Sequence, residues 1–232
     1  MKKYDIFLVD ADNTLLDFHK SAILAIRDTF ELLGVECKEE YLKKYEVFNE
    51  RLWRRLERKE LSRDVLMNNR FTWFFQELGL TELDGKKFNE KYIITLSNRP
   101  TYFDGAEEFL KILRENGRVY IVTNGTEYIQ KTRFDILGLW DKVDDVFISQ
   151  SVGADKPDIL FTNRVIVKIE NFDNVRAVWI GDSLSADIKA ANDSNIDSIW
   201  YNPQKTALQS DAAKPTYVAE NFKKILSILQ IN

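Results

Sequence analysis

The sequence predicts an α/β protein, a doubly wound parallel sheet interrupted by an inserted all-helical domain. Three observations predict it. Five short, unbroken apolar runs, at residues 6–9, 119–122, 146–148, 177–180 and 199–201, are separated by segments of helical periodicity. Parallel strands need crossover helices, so strands and helices in alternation imply a parallel sheet covered on both faces. The alternation fails between residues 18 and 99, where only helical periodicity remains. A length of 232 residues is enough for a core domain carrying a smaller insertion.

Residues 4–9 read as a buried strand because Ile6 to Val9 is a continuous apolar run. Helices follow at 20–33, 38–59, 62–78 and 84–97, with Ser62 as an N-cap and Gly34 and Gly79 as stops. These helices form the insertion, residues 18–99, and the chain returns to the core at Arg99-Pro100. Residues 1–17 and 100–232 make up that core. A helix at 105–116 carries Ala106, Phe109, Leu110 and Leu113 on one face and closes at Gly117. After the strand at 119–122, a helix at 126–137 closes at Gly138. Strands at 146–148, 177–180 and 199–201 then alternate with helices at 158–169, 184–194 and 220–230.

Composition excludes several chemistries. With one histidine, His19, and one cysteine, Cys37, no disulfide forms within the chain and no Cys/His zinc cage can be built. Catalysis therefore falls to carboxylates, lysine, hydroxyls or a hard metal held by oxygen. A net charge of −4 argues against a nucleic-acid partner. The one basic cluster, Arg51, Arg54, Arg55 and Arg58, lies in a stretch, 39–60, with seven basic and six acidic side chains, and reads as a salt-bridged helix face. No apolar run approaches the ~20 residues that cross a bilayer, so no membrane partner is expected. Asp5, Asp10 and Asp12 interrupt the apolar N-terminal stretch, which argues against a secretory signal and for a cytoplasmic protein. Oligomeric state is not readable.

Ligands of open parallel sheets gather at the carboxyl ends of the strands, and four such ends are polar here. The first runs into Asp10-Ala11-Asp12-Asn13-Thr14 and the second into Thr123-Asn124-Gly125. The third leads to Lys156-Pro157, and the fourth ends Gly181-Asp182-Ser183, with Asp187 one helical turn on. Asp10 and Asp12, two residues apart on extended chain, can face one site, where they repel unless a cation or proton relieves them. Convergence of Asp182 would complete an oxygen-lined site of the kind Mg²⁺ uses; a capped turn is the plainer alternative. Thr123 and Asn124 offer a hydroxyl and an amide, Gly125 permits close backbone approach, and the following helix N-terminus presents N–H groups to an anion. Taken alone, that segment reads more readily as a strand-to-helix turn than as a binding element. Lys156 adds a compact positive charge. Asp187 is placed to orient metal-bound water or to pair locally.

In this order the four strand ends resemble the four motifs of the haloacid dehalogenase-like hydrolase superfamily. The resemblance covers residues 4 to about 202 and includes the insertion, which matches that superfamily's C1-type cap. It implies a Rossmann-like core, a nucleophilic Asp10, a general acid/base Asp12, and phosphate contacts from Thr123, Asn124 and Lys156. It also implies Mg²⁺ held by Asp10, the Asp12 carbonyl and Asp182, with Asp187 in support. The dehalogenase and phosphonatase branches lack an aspartate at the Asp12 position, so its presence favours phosphoryl chemistry on a small phosphorylated metabolite.

Asp10 to Phe18, Asn49 with Leu52-Trp53, Arg70-Phe71, and Gly181 to Ile188 look like the bacterial pyrimidine 5′-nucleotidase branch. That likeness implies a nucleoside monophosphate substrate, with Asn49, Trp53 and Arg70 as cap residues that could read it. Phosphoglycolate or sugar-phosphate phosphatases and phosphomutases share the same motifs. A non-catalytic, metabolite-sensing member would be expected to lack Asp10, Asp12 or Lys156, and all three are present. Phe71, Phe74, Phe75 and Leu78 recur at helical spacing and read as cap core. His19 reads as surface packing near the start of the insertion, and Cys37 as an incidental thiol.

Overall fold

A computed structural model describes residues 4–231. The chain divides into two compact units, Met1–Asp17 with Tyr102–Asn232, and Phe18–Thr101. In the first, β1 (Ile6–Val9), β2 (Arg118–Thr123), β3 (Asp145–Ile148), β4 (Ala177–Gly181), β5 (Asp197–Tyr201) and β6 (Tyr217–Ala219) form one sheet. Its order is β3-β2-β1-β4-β5-β6, with every neighbouring pair parallel. The strand order reverses at β1, and open sheets of this kind bind ligands beside such a switch point, here the carboxyl ends of β1 and β4. Val9 lies opposite both Ile121 and Ile180, so the polar ends of three strands come level.

Alternating residues of the apolar runs serve opposite faces. Phe7, Val9, Val119, Ile121, Val178 and Ile180 pack into one cluster with Phe109, Leu110 and Leu113. Ile6, Leu8, Tyr120, Val122, Ala177 and Trp179 pack into a second with Phe161 and Val165. A period of two with both faces covered explains why these strands read as unbroken apolar runs. β6 has no counterpart among the strands expected from the sequence: it is the short edge strand Tyr-Val-Ala, of which only Ala219 is buried while Val218 is 48% exposed.

The second unit consists of α1 (Phe18–Leu32), α2 (Glu39–Glu57), α3 (Arg63–Leu78) and α4 (Gly85–Ser97). The Ser62 hydroxyl accepts from the Val65 N–H and caps α3, and Gly79 closes it in the left-handed region at φ +72°. The core of this unit is aromatic. Phe30, Tyr45, Phe71, Phe74, Phe75, Phe88 and Tyr92 are all 0–1% exposed, and Tyr45 stacks on Phe71 with centroids 5.3 Å apart. Such pairs contribute about 0.5–1.5 kcal/mol each beyond their burial.

The first unit's helices are α5 (Ala106–Asn116), α6 (Glu127–Leu137), α7 (Ser149–Val152), α8 (Ile159–Ile166), α9 (Lys189–Asp193) and α10 (Phe222–Leu229). Where the sequence predicts one helix over 184–194, the chain instead makes a π-helical turn, Leu184–Ile188, before α9. The Ser183 carbonyl accepts from both Asp187 and Ile188 N–H groups, which widens that turn. Among the described residues no helix is long and apolar enough to cross a membrane.

Candidate active site

Asp10 follows directly from β1 and is 5% exposed. Its main-chain N–H donates to the Ile180 carbonyl at 2.9 Å, which ties the strand end to β4. Lys156, 2% exposed, donates from Nζ to Asp10 Oδ1, Asp187 Oδ1 and the Val122 carbonyl, each at 2.7 Å. An ammonium has three protons, so all are committed. Thr14 Oγ1 donates to the other Asp10 oxygen at 3.1 Å. Burial opposes the charge of Lys156, but the carboxylates of Asp10 and Asp187 outweigh it and hold its pKa above the ordinary lysine value. Burial pushes Asp10 up to about 7, against the pull of Lys156 and with the push of Asp187.

Asp187 reaches Lys156 because residue 181 is glycine. A Cβ there would lie 2.3 Å from Asp187 Cγ. Asp187 is 1% exposed; its Oδ1 also accepts from Trp179 Nε1 at 3.3 Å, and its Oδ2 from the Ser183 N–H at 3.1 Å. Trp200 Nε1 holds the Asp182 carbonyl at 2.8 Å. Oxygens of Asp10, Asp182 and Asp187 lie within 4.8 Å of one another. Burial, then Asp10 and Asp187, raise the Asp182 pKa well above the carboxylate range. Three carboxylates facing one ammonium leave uncompensated negative charge and hard oxygen donors, a donor set that fits Mg²⁺. Asp187 accepts from three protein donors where Asp10 accepts from two, which suits orienting its neighbours more than direct ligation.

The end of β2 is arranged differently from the sequence expectation. Asn124 spends both ends of its carboxamide on the Lys156 main chain, Nδ2 donating to the carbonyl at 2.9 Å and Oδ1 accepting from the N–H at 2.8 Å. It therefore fixes Lys156 rather than presenting an outward amide. Thr123 is fully buried, and its hydroxyl accepts from Gln130 Nε2 at 3.1 Å. The N–H groups expected to face an anion are partly taken, Gly125 by Ser149 Oγ at 3.1 Å and Glu127 by Gln150 Oε1 at 2.7 Å, both from α7. Gly125 makes room for a side chain: a Cβ there would stand 2.7 Å from Gln130 Cγ.

Asp12 does not join the carboxylate cluster through its side chain. It pairs instead with Arg133, Nη1 to Oδ1 at 2.6 Å, and Gln130 Nε2 donates to its Oδ2 at 2.9 Å. Sequence reasoning missed both partners. Their signal was present, since Ile129, Gln130, Arg133 and Phe134 are all buried on one face of α6, a stripe where polar residues need a reason.

The second unit holds the remaining sequence candidates. Asn49 is 7% exposed, with Oδ1 3.4 Å from the Tyr45 hydroxyl, and the half-buried Trp53 lies under the Arg63 guanidinium. Arg70, expected to read the substrate, is 2% exposed. It donates to Asn89 Oδ1 at 2.8 Å and lies over the rings of Phe71 and Tyr92. Its charge is met by a neutral amide and ring faces inside this unit. His19 is exposed on α1, with Nδ1 3.6 Å from Glu46. Cys37 is half-buried, and burial pushes its thiol up.

Residues 4–195 match the family described as haloacid dehalogenase-like hydrolases. The chain belongs to this family. Among haloacid dehalogenase-like relatives, YfnB of Bacillus subtilis, described as a HAD-hydrolase, is 33% identical over 231 residues, all of this chain and 97% of its own. A crystal structure of YfnB bound to magnesium superposes with a TM-score of 0.93, covering 99% of this chain and 100% of that one. The pyrimidine 5′-nucleotidase PynA of Streptococcus pneumoniae is 35% identical over 230 residues, 99% of this chain and 96% of its own. The pyrimidine 5′-nucleotidase YjjG of Escherichia coli is 26% identical over 227 residues, 98% of each chain.

Proposed function

We propose that this hydrolase is a Mg²⁺-dependent phosphomonoesterase working through an aspartyl-phosphate on Asp10, and that its substrates are nucleoside monophosphates, pyrimidine ones foremost. The observation that carries the chemistry is the buried Lys156 held between Asp10 and Asp187 beside Asp182. Two relatives named as pyrimidine 5′-nucleotidases, alike over nearly the whole chain, support the substrate class.

Asp10 is braced at both oxygens, by Lys156 and Thr14, so its carboxylate is oriented before substrate arrives. Its oxygen attacks phosphorus, the Asp10 O–P bond forms, and the ester P–O bond breaks. Asp12 gives a proton to the departing oxygen and later takes one from the water that cleaves the acyl phosphate. Lys156, its three protons committed, meets the phosphoryl group through its charge and keeps Asp10 from being an unpaired buried anion. Asp10, the Asp12 carbonyl and Asp182 would hold Mg²⁺, whose positive charge would offset that of the phosphoryl group.

The test is a phosphate-release screen with added Mg²⁺ over nucleoside monophosphates, phosphoglycolate and sugar phosphates. Pyrimidine nucleotides are expected to be turned over best, and a preference of about tenfold for either other class displaces the nucleotidase assignment. Asp10→Asn is expected to abolish turnover of every ester, aryl phosphates included. Near-normal rates from the pure variant would sink the covalent mechanism.

A further inference from the structure

Gln130 and Arg133 lie three residues apart on α6, hence on one helix face, and are 1% and 0% exposed. Together they grip both carboxyl oxygens of Asp12. They are also joined to each other, Arg133 Nη1 donating to Gln130 Oε1 at 2.8 Å, and Gln130 reaches Thr123 at the end of β2. The Gln130 side chain occupies space that Gly125 leaves open, since a Cβ at residue 125 would stand 2.7 Å from Gln130 Cγ.

Burying a guanidinium removes it from water at a cost that an apolar residue such as the neighbouring Phe134 avoids. An isolated carboxyl at a strand end rotates about two torsions, and a misplaced proton donor loses much of its effect. Two donors arriving from one helix face remove that freedom. They leave lone pairs unused on each oxygen, because a carboxylate has about four acceptor positions and these bonds take two.

We infer that Gln130 and Arg133 are positioning residues that aim the Asp12 carboxyl at the oxygen leaving phosphorus. The inference rests on the phosphomonoesterase reading above. In the first half-reaction the Asp10 O–P bond forms as the ester P–O bond breaks, and the Asp12 proton moves to the departing oxygen. Asp12 is left ionised between the two donors. In the second half it recovers a proton from water as that water attacks the phosphoryl group and frees Asp10.

A role in aiming a proton has a signature that a structural role lacks. The alkoxide leaving uridine 5′-monophosphate needs a proton, whereas 4-nitrophenolate departs without one. The value of kcat/KM reads the steps up to the first phosphoryl transfer, so the shared second half does not mask the difference. Gln130→Met and Arg133→Met are expected to lower kcat/KM for uridine 5′-monophosphate about tenfold or more, and for 4-nitrophenyl phosphate by less than about threefold. Asp12→Asn should show the same bias more strongly. Both substrates are read on one sample, so the ratio of the two losses is independent of how much of a variant folds. Arg133→Lys should restore part of the loss, and either Met variant placed on Asp12→Asn should add little further loss.

Equal losses on both substrates from the two Met variants, or full additivity with Asp12→Asn, would overturn the inference while leaving the phosphomonoesterase reading intact. An active Asp10→Asn, or an Asp12→Asn without substrate bias, would overturn that reading and the inference with it.

Discussion

Asp10, Asp182 and Asp187 are crowded into a space where a single ammonium answers three carboxyls. Burial raises the proton affinity of Asp10 from its ordinary 3.8 to about 7 in the metal-free chain, and Asp182 rises as well. The folded chain therefore keeps protons that the unfolded chain has released. Stability from these groups is fully present below the unfolded value near 3.8 and lost as pH rises through about 7. The metal-free protein is expected to melt at progressively lower temperature across that window. A divalent cation replaces the protons, so Mg²⁺ should raise the melting temperature more at about pH 8 than at about pH 5. Thermal melts with and without Mg²⁺ at the two pH values measure this. Equal increments would argue against these carboxylates as ligands.

The elements bring those residues together through small departures from regularity. The π-helical turn at Leu184–Ile188 and the missing side chain at Gly181 let Asp187 fold back onto Lys156 and Trp179. Gly181→Ala would force a methyl group into the Asp187 carboxyl, both being buried. The expected cost is about 1–3 kcal/mol by urea unfolding, together with a marked loss of phosphate release as Lys156 loses its second carboxylate. Unchanged stability and activity would show that Asp187 can move aside at no cost. The apolar runs of β1, β2 and β4 were legible because both of their faces are buried. The π-helical turn was not legible, since Leu-Ser-Ala-Asp-Ile reads as ordinary helix and only the Ser183 carbonyl, taking two N–H donors, widens it. The polar half of the α6 stripe was passed over for a related reason. A periodicity argument counts apolar residues, and Gln130 and Arg133 are buried by their partners instead.

Each of the two units carries its own core, the first a sheet covered on both faces and the second an aromatic cluster. All of the carboxylates proposed for Mg²⁺ belong to the first. Added Mg²⁺ should therefore slow amide hydrogen exchange in β1, β2 and β4 while leaving α2 and α3 unchanged. Hydrogen exchange by mass spectrometry reads both units in one experiment. Equal protection in both would mean that they open as a single cooperative unit.

The sequence by itself determined the alternation of strands and helices, the four polar strand ends and the all-helical insertion. It could do so because burial on both faces writes a strand as an apolar run, and because polar residues begin where such a run leaves the core. Only the tertiary structure decided which polar groups meet there. Arg133 and Asp12 are 121 residues apart, Lys156 and Asp10 are 146 apart, and Asn124 and Lys156 are 32 apart. Such pairs are set by the register and order of the strands, which no local pattern encodes. For that reason the Asn124 carboxamide holds the Lys156 main chain, and a buried arginine grips the proposed proton donor.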